Sequence, residues 1–193
     1  KEEASGFVLP AETTTFLSAQ SNAMVGYART MPSYEIPYTV DAPMGENGIG
    51  NGYTFPCLFK LKDSKGWILI SETGIDSQYC ASRLIGRENG LYTIGFPMEG
   101  ENNGIGSATP GIALPSETPW RTITVGETLA PIVETTVPFD LVKPRYEASQ
   151  KYEYTKGTWS WIIGMDKSMN YNEQIRYVDF SADLGYKTLL VDA

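Results

Sequence analysis

The sequence predicts a mainly β protein, in which an antiparallel β-sandwich is followed by a βαβ unit with two parallel strands. Three observations carry this prediction. Apolar and polar residues alternate with period two in the middle of the chain, which is typical of strands with one buried face. Clusters of turn-forming residues separate these segments at short intervals. Residues 157–193 then change to a strand–helix–strand pattern.

The first two clear strands lie between residues 54 and 70. The apolar members of the first are Phe55, Cys57, Phe59 and Leu61. Turn-forming residues at 63–66 separate this strand from residues 67–70. Because residues 67–70 are apolar at every position, they predict a central strand that is covered on both faces.

Further strands continue this meander at residues 78–84 and 91–96. The Glu-Asn-Gly sequence at 88–90 is a hairpin signal between them. Residues 120–125, which are rich in β-branched side chains, predict one more strand. The spacing of the four strands between 55 and 96 indicates an antiparallel sheet in a sandwich.

The first 40 residues are rich in Pro, Thr and Tyr and have weak periodicity. Residues 12–17 and 34–40 are predicted as edge strands, because prolines lie beside them and proline cannot donate a ladder hydrogen bond.

Residues 126–156 are predicted to be a linker. Pro131, Pro138 and Pro144 interrupt this segment too often for a regular element. We therefore divide the chain into a sandwich domain at 1–125, a linker at 126–156 and the βαβ region at 157–193. The domain boundary is expected within residues 143–157.

Local signals predict the βαβ unit. Residues 158–163 are β-branched and aromatic, as strands prefer. Asn170 and Glu173 have the spacing of a capping box, and Gly185 stands where a helix would end. The apolar residues of this helix share one face: Tyr171, Ile175, Val178 and Ala182. The apolar run at 186–191 predicts a second strand, parallel to the first and joined by a right-handed crossover.

Composition argues against several classes of function. The net charge of −8 disfavours nucleic acid and anionic membranes as partners, because phosphate binding needs clustered Lys and Arg. Membrane insertion is not expected, since no apolar run is long enough to span a bilayer. The chain contains no histidine, which excludes a Ser-His-Asp triad and a His-based zinc site within it. Ionic chemistry is therefore expected from carboxylates.

The two cysteines, Cys57 and Cys80, fall on predicted strands at either side of the central one. Their backbones would then be about 9.5 Å apart, which is twice the strand spacing. A disulfide needs roughly 7 Å or less. Two buried free thiols are favoured over a disulfide.

Two glycine-rich segments, residues 45–52 and 100–106, are similar to each other. A phosphate-binding loop would need a preceding strand and a following helix. Neither segment opens a recognisable helix, so long hairpin loops are the favoured interpretation.

Glu72 is the first candidate site residue. It shares the parity of Ile68 and Ile70 at the end of the predicted central strand. A carboxylate in such a place is costly unless it is paired or binds a cation. Spacing alone favours a salt-bridged strand end over a metal ligand.

Asp192 and Trp161 are the other candidates. Asp192 lies at the carboxyl end of a predicted parallel strand, where barrels carry their active sites, although an Asp there also commonly caps a helix. Trp161 shares one strand face with Trp159, and core packing is the simpler interpretation of both rings.

Several motifs resemble glycoside hydrolase family 97. Residues 158–163, 170–171, 183–186 and 190–192 are similar to the start of that family's catalytic barrel. Residues 53–56, 70–72 and 118–121 are similar to its N-terminal β-super-sandwich, a galactose-mutarotase-like fold. The resemblance is strongest over residues 157–193.

The resemblance implies that the βαβ unit begins a (β/α)8 barrel. It also implies a secreted or periplasmic bacterial enzyme that acts as an exo-α-glycosidase on α-glucosides or α-galactosides. A calcium ion is implied in the active site, with Glu72 as the ligand that the sandwich lends. Trp161 and Asp192 are then expected to contact the oligosaccharide or glycoside substrate.

No catalytic residue is expected within this chain, because the resemblance puts the acid and the base or nucleophile on later barrel strands. Glycoside hydrolysis needs two such carboxylates, so the chain alone is expected to be inactive. The alternative interpretation is a non-catalytic carbohydrate-binding sandwich whose exposed aromatic rings stack on sugars. The bare strand edges of the βαβ unit predict that it folds back on the sandwich, pairs with a second copy in a homodimer, or is poorly ordered.

Overall fold

The computed structural model describes residues 3–20, 37–45, 52–101 and 106–192. The chain divides into two compact units, Lys1–Pro144 and Arg145–Ala193. The strands are β1 (Gly6–Val8), β2 (Thr14–Phe16), β3 (Ala42–Pro43), β4 (Tyr53–Thr54), β5 (Cys57–Lys60), β6 (Trp67–Thr73), β7 (Arg83–Gly86), β8 (Leu91–Gly95), β9 (Trp120–Gly126), β10 (Gly157–Trp159) and β11 (Thr188–Leu190). The α-helices are α1 (Ala130–Val133), α2 (Val137–Asp140), α3 (Trp161–Gly164) and α4 (Tyr171–Asp183).

Two antiparallel sheets form the first unit. One has the strand order β1-β8-β7-β4 and the other has the order β3-β2-β5-β6-β9. Their inner faces share one apolar core, in which the rings of Phe59 on β5 and Tyr92 on β8 meet with centroids 5.0 Å apart. The predicted antiparallel β-sandwich is therefore confirmed.

Strand β6 is an interior strand, as the apolar run predicts, because β5 and β9 pair with its two edges. The predicted cover on both faces was wrong, since only Ile70 of the apolar run is buried and residues 67–69 are partly exposed. The period-two pattern of β5 is also confirmed, since Cys57 and Phe59 are fully buried while the residues between and after them are partly exposed. The hairpin signal at 88–90 forms the turn between β7 and β8.

The predicted four-strand meander is divided between the two sheets. Strands β5 and β6 belong to the five-stranded sheet, whereas β7 and β8 belong to the four-stranded one. The segment predicted as a strand at 78–84 begins with a turn instead, in which Asp76 accepts hydrogen bonds from the amides of Gln78 and Tyr79. The strand therefore starts only at Arg83, after the chain has crossed to the other sheet.

Cys57 and Cys80 are both free thiols, as predicted, but the geometric reason was wrong. Cys57 lies on β5, whereas Cys80 lies in the loop before β7 and is only partly buried. Burial raises the pKa of the Cys57 thiol, so this side chain remains protonated and behaves as a small apolar group.

The prediction of an edge strand at residues 12–17 was wrong. Strand β2 in this segment pairs with β3 on one side and β5 on the other. The edge position belongs to β3, whose Pro43 is suited to it because an edge strand can do without one donor. In the segment 34–40, residues 34–36 lie outside the described residues and residues 37–40 form no strand.

Residues 126–156 were predicted to lack regular elements, yet they contain α1 and α2. Both helices have a proline in the first turn, Pro131 and Pro138. Proline is favoured there because the first amides of a helix have no intrahelical acceptor. The buried Ile132 anchors α1, which packs beside β6 and β9. The prolines therefore start helices here rather than prevent them.

The second unit holds the predicted βαβ arrangement. Strands β10 and β11 are parallel, and α4 connects them. Asn170 caps this helix by accepting a hydrogen bond from the Glu173 amide at 3.1 Å. Gly185 follows its end with φ +70°. Both local signals are confirmed.

Two details of the second unit differ from the prediction. The first strand ends at Trp159, because the chain turns into α3 at the buried Ser160, whose hydroxyl accepts a hydrogen bond from Gln174 on α4 at 2.7 Å. The side of α4 that faces β10 is polar, since Ser181 also forms a hydrogen bond with Thr158 at 2.6 Å. The predicted apolar face is exposed at Tyr171, Ile175, Val178 and Ala182.

No helix among residues 3–20, 37–45, 52–101 and 106–192 is long and apolar enough to cross a membrane. The two glycine-rich segments lie mostly outside the described residues, so the prediction of hairpin loops stays a prediction.

The close packing of the backbone at Gly90 gives a test of this fold. It has φ +72° in the turn between β7 and β8, and an added Cβ would lie 2.7 Å from the carbonyl oxygen of Leu9. Gly100 in the same unit has φ +84° with nothing within 4 Å of an added Cβ. We expect Gly100→Ala to lower the free energy of unfolding by about 1 kcal/mol, from the left-handed backbone alone.

Gly90→Ala should lower the free energy of unfolding by about 3 kcal/mol, because the backbone clash adds to the same strain. Urea unfolding followed by circular dichroism measures both values. Equal losses in the two variants would show that the close approach of Leu9 does not constrain this turn.

Candidate functional site

Glu72 lies on the inner face of β6, one residue before the strand ends. Ile70, two residues earlier on the same side of the strand, is buried in the core. The predicted inward direction of this side is therefore confirmed. Arg121 on β9 is its direct partner in the strand register. The side chains of Glu72 and Arg121 are each only 10% exposed, so both charges are held away from bulk water.

The guanidinium of Arg121 binds two carboxylates. Nη1 donates to Oε2 of Glu72 at 2.5 Å. Nε and Nη2 donate to Oε1 and Oε2 of Glu3 at 3.0 and 2.6 Å. The pairing with Glu3 is bidentate, the geometry for which arginine is best suited. One buried cation therefore compensates two buried anions.

Two further side chains complete the arrangement. The hydroxyl of Ser82 donates to Oε2 of Glu72, and the hydroxyl of Tyr79 donates to Oε2 of Glu3 at 2.7 Å. The Arg121 guanidinium also lies 5.9 Å from the centroid of the Tyr79 ring, within range of a cation–π interaction. We refer to Glu3, Glu72, Tyr79, Ser82 and Arg121 as the Arg121 cluster.

The pKa values of the two carboxyl groups are shifted in opposite directions. Burial raises the pKa of Glu72, and the hydrogen bond from Ser82 and the charge of Arg121 offset only part of that rise. Burial also acts to raise the pKa of Glu3, but the hydrogen bonds from Arg121, Tyr79 and Ser5 outweigh it and leave the pKa below its ordinary value. Burial therefore outweighs the favourable interactions at Glu72, whereas the hydrogen bonds outweigh burial at Glu3.

Arg121 remains a cation in this setting. Burial acts to lower its pKa, but the hydrogen bond and charge of Glu3 and the charge of Glu72 outweigh this and raise the pKa of Arg121 above its ordinary value. The cluster thus carries one positive charge against the two carboxylates when both are ionised.

Glu72 has the chemistry of one calcium ligand, because calcium binds six to eight oxygen atoms, many of them from carboxylates. Within the described ranges, no group of three or more His, Cys, Asp or Glu side chains is placed to hold a metal ion. In the structure Glu72 is a salt-bridged strand end, the arrangement that spacing alone favours.

Trp161 and Asp192 lie in the second unit. Trp161 begins α3, where its ring stacks on Trp159 with centroids 5.9 Å apart and planes 17° from parallel. Its indole N–H donates to Asp166 at 3.2 Å. Asp192 is exposed and follows the end of β11. Trp161 is therefore in a helix rather than on the strand face that was predicted, because the strand ends at Trp159.

Sequence reasoning missed most of the Arg121 cluster. Arg121 and Glu72 share the inner-face parity of two strands, and that parity is the signal from which their pairing could have been inferred. Ser82 and Tyr79 lie in a segment mistaken for a strand. Glu3 lies in an N-terminal stretch that has no periodic signal, so nothing in the sequence connects it with Arg121.

Comparison with known proteins gives one match to a family profile and several to solved structures. The family profile described as "Glycosyl-hydrolase 97 N-terminal" matches residues 1–144. Among curated protein sequences, none matches this chain significantly.

One similar solved structure is a crystal structure of a β-arabinopyranosidase. It is 55% identical, with a TM-score of 0.86 over 97% of this chain and 30% of that chain. Another is a glycoside hydrolase family 97 enzyme from Pseudoalteromonas sp. strain K8 in complex with acarbose. It is 22% identical, with a TM-score of 0.66 over 98% of this chain and 28% of that chain. The chain thus spans less than a third of the length of these relatives.

The opposite pKa shifts of the two glutamates predict opposite dependences of stability on pH. The folded-state pKa of Glu3 is below its ordinary value of 4.5, so its contribution is present above that value and is lost as the pH falls through the folded pKa. The folded-state pKa of Glu72 is above 4.5, so the folded state loses stability as the pH rises from 4.5 through the folded pKa.

We therefore expect the stability difference between wild type and Glu3→Gln to grow with rising pH in the window below 4.5. The difference between wild type and Glu72→Gln should shrink with rising pH in the window above 4.5. Urea unfolding at a series of pH values, with a chelator present so that no metal ion contributes, measures both differences. Slopes of the same sign would refute the assigned shifts.

Proposed function

Because this chain belongs to glycoside hydrolase family 97, we propose that it is part of an exo-acting enzyme that hydrolyses pyranosides, with β-arabinopyranosides and α-galactopyranosides as the preferred class. The similarity to the β-arabinopyranosidase over nearly the whole chain supports this proposal more than any other observation. The whole enzyme is proposed to combine this sandwich with a complete (β/α)8 barrel, which β10, α4 and β11 begin.

Stereochemistry connects the two substrates. A β-L-arabinopyranoside is an α-D-galactopyranoside without the hydroxymethyl group, so both present the same arrangement of ring hydroxyls. An α-D-glucopyranoside differs from both in the orientation of the hydroxyl at C4. A site that hydrogen-bonds this hydroxyl discriminates against the other orientation, because its polar groups are then left unpaired.

We propose that Glu72 lends one oxygen ligand to a calcium ion in that enzyme. Burial raises the pKa of Glu72 in spite of the hydrogen bond from Ser82 and the charge of Arg121, and a bound divalent cation would oppose that rise. Calcium, when bound, would polarise oxygen atoms of the substrate or of a nucleophilic water. Among residues 3–20, 37–45, 52–101 and 106–192, Glu72 belongs to no group of three or more His, Cys, Asp or Glu side chains that could hold the ion by themselves.

The Arg121 cluster orients Glu72 for this proposed role. Ser82 and Arg121 both donate to Oε2 of Glu72, which fixes the direction of the carboxylate. Glu3 holds Arg121 from the other side with two hydrogen bonds. Trp161 and Asp192 are proposed to contact the sugar, Trp161 through its ring and Asp192 through hydrogen bonds to hydroxyl groups. No catalytic acid, base or nucleophile is assigned in this chain.

The test of the activity uses the whole protein that contains this chain and three p-nitrophenyl glycosides. We expect hydrolysis of the β-L-arabinopyranoside and the α-D-galactopyranoside, and a kcat/KM about a hundredfold lower for the α-D-glucopyranoside. Chelation should abolish the activity and added calcium should restore it. A preference for the glucoside would reject the proposed substrate class, and activity in residues 1–193 alone would overturn the absence of catalytic residues.

The matched pair Glu72→Gln and Glu3→Gln separates ligation from orientation in the same assay. Glu72→Gln should raise the calcium concentration for half-maximal activity by about tenfold or more, because a charged ligand is lost. Glu3→Gln removes a charge from the same cluster without touching the proposed ligand, so its calcium requirement should change much less. An equal increase in both variants would reject Glu72 as a ligand.

Two further expectations remain proposals. A periplasmic or secreted location would be tested by fractionation of the native bacterial cells. In residues 1–193 alone, the parallel strands β10 and β11 have one another as partners, and pairing of their outer edges between two copies would form a homodimer. Sedimentation velocity at two protein concentrations tests this, and a concentration-independent monomer would reject it.

A further inference from the structure

A cleft of about 540 Å³ opens on the surface of the first unit. Its walls come from residues 74–79, 112–120 and 141–143, all within that unit. The volume lies in the range of small-molecule sites, roughly 300–1,000 Å³. Tyr79 of the Arg121 cluster lines one wall, so the buried ion network fixes part of the cleft.

Hydrogen bonds hold the walls in place without a ligand. The Gly111 amide donates to the carbonyl of Gln78 at 2.8 Å, which ties the second wall to the first. The Thr73 hydroxyl donates to the carbonyl of Pro138 at 3.0 Å, which holds the chain just before the third wall. The cleft is therefore preformed, and a ligand would bind without paying the entropy of ordering these loops.

Trp120 is an exposed aromatic ring in this cleft. It is the first residue of β9 and is 55% exposed, although Pro119 before it is buried. Gly74 faces the ring, since an added Cβ there would lie 3.7 Å from Cδ1 of Trp120 and 3.3 Å from Cγ2 of Val142. The absence of a side chain at Gly74 therefore lets the indole and Val142 pack close to the backbone there.

Polar side chains surround the exposed ring, and they carry both signs of charge. The cleft is lined by Asp76, Gln78, Ser116, Glu117, Thr118 and Lys143. In the described part of the chain, Glu117 and Lys143 form no ion pair with each other or with another side chain. Mixed charges disfavour a highly charged ligand, and the density of hydrogen-bonding groups disfavours an apolar one.

We propose that this cleft binds a pyranose ring, with one face of the sugar against Trp120 and its hydroxyls hydrogen-bonded to Gln78, Glu117 and Lys143. A pyranose has apolar C–H faces and an equator of hydroxyls, which matches one flat ring and a rim of donors and acceptors. The choice of a sugar as the ligand rests on the proposed function, whereas the location of the binding site rests on the geometry of the cleft. Trp161, which is proposed above to contact the substrate, lies in the second unit and does not line this cleft.

The four tryptophans of the chain allow a direct test by NMR of the indole N–H signals in the ¹⁵N-labelled protein. The signal that disappears in Trp120→Phe identifies Trp120. The probes are methyl β-L-arabinopyranoside and L-arabinitol, which has similar hydroxyl groups on an open chain without a ring face. We expect the Trp120 signal to shift saturably with the pyranoside and not with the alditol, while the Trp67 signal stays in place.

Variants test the contribution of the ring itself. Affinity in the variants is measured from saturable shifts of the backbone amide signals, since neither variant of Trp120 keeps its indole signal. Trp120→Ala should weaken binding about tenfold or more, because the stacking surface is lost, and Trp120→Phe should retain most of the affinity. Phe139→Ala is the matched control, since Phe139 is an 80% exposed aromatic residue in the same unit but does not line the cleft. Glu117→Gln should weaken binding by removing an acceptor on the rim. The dispersion of the amide spectrum checks that each variant is folded.

The outcomes separate this inference from the proposed function. A shift at Trp161 without one at Trp120 would overturn the cleft as a sugar site and leave the proposed function standing. Equal shifts with the pyranoside and the alditol, or no shift at Trp120 with either, would also overturn it. Binding at Trp120 in a whole protein that hydrolyses none of the three aryl glycosides would support the cleft and refute the proposed function.

Discussion

The buried guanidinium of Arg121 is the interaction on which the described part of the first unit depends. It extends from β9 in the five-stranded sheet and binds Glu3, which precedes β1 of the four-stranded sheet. It also binds Glu72 on the neighbouring strand β6. Removing one partner of such a pair leaves an uncompensated buried charge, which typically costs about 3–5 kcal/mol. The cluster therefore links the two sheets at one end of the sandwich by charge, where the remaining core links them by apolar contact.

How much of this structure the sequence alone could predict depends on how close along the chain the interacting residues lie. An alternating apolar pattern predicted β5, an unbroken apolar run predicted β6 and β-branched residues predicted β9. Local caps predicted α4, because capping involves residues three apart. Glu72 was singled out for the same local reason, as a carboxylate on an apolar face. Its partners were not, because strand pairing brings together residues far apart in sequence. The helices at Pro131 and Pro138 were missed because proline was considered only as an interruption.

Tyr79 belongs to the Arg121 cluster and also lines the cleft. It therefore connects the buried ion network with the surface at this end of the sandwich. The Tyr79 hydroxyl is held by Glu3, while its side chain lines the cleft beside Trp120. A change in charge at Glu72 would act on Arg121, then on Glu3, and so on the position of Tyr79. The proposed binding of a cation at Glu72 and the proposed binding of a sugar in the cleft would therefore be coupled through one hydrogen-bond network.

The separation of the cluster residues along the chain also bears on the order of folding. Arg121 is 49 residues from Glu72 but 118 residues from Glu3. The entropy cost of closing a loop increases with its length, and contacts between distant residues slow folding. We expect β6 and β9 to associate first, with Arg121 partly compensated by Glu72. The N-terminal strand would then dock last, and its arrival would complete the neutralisation of Arg121 and close this end of the core against water.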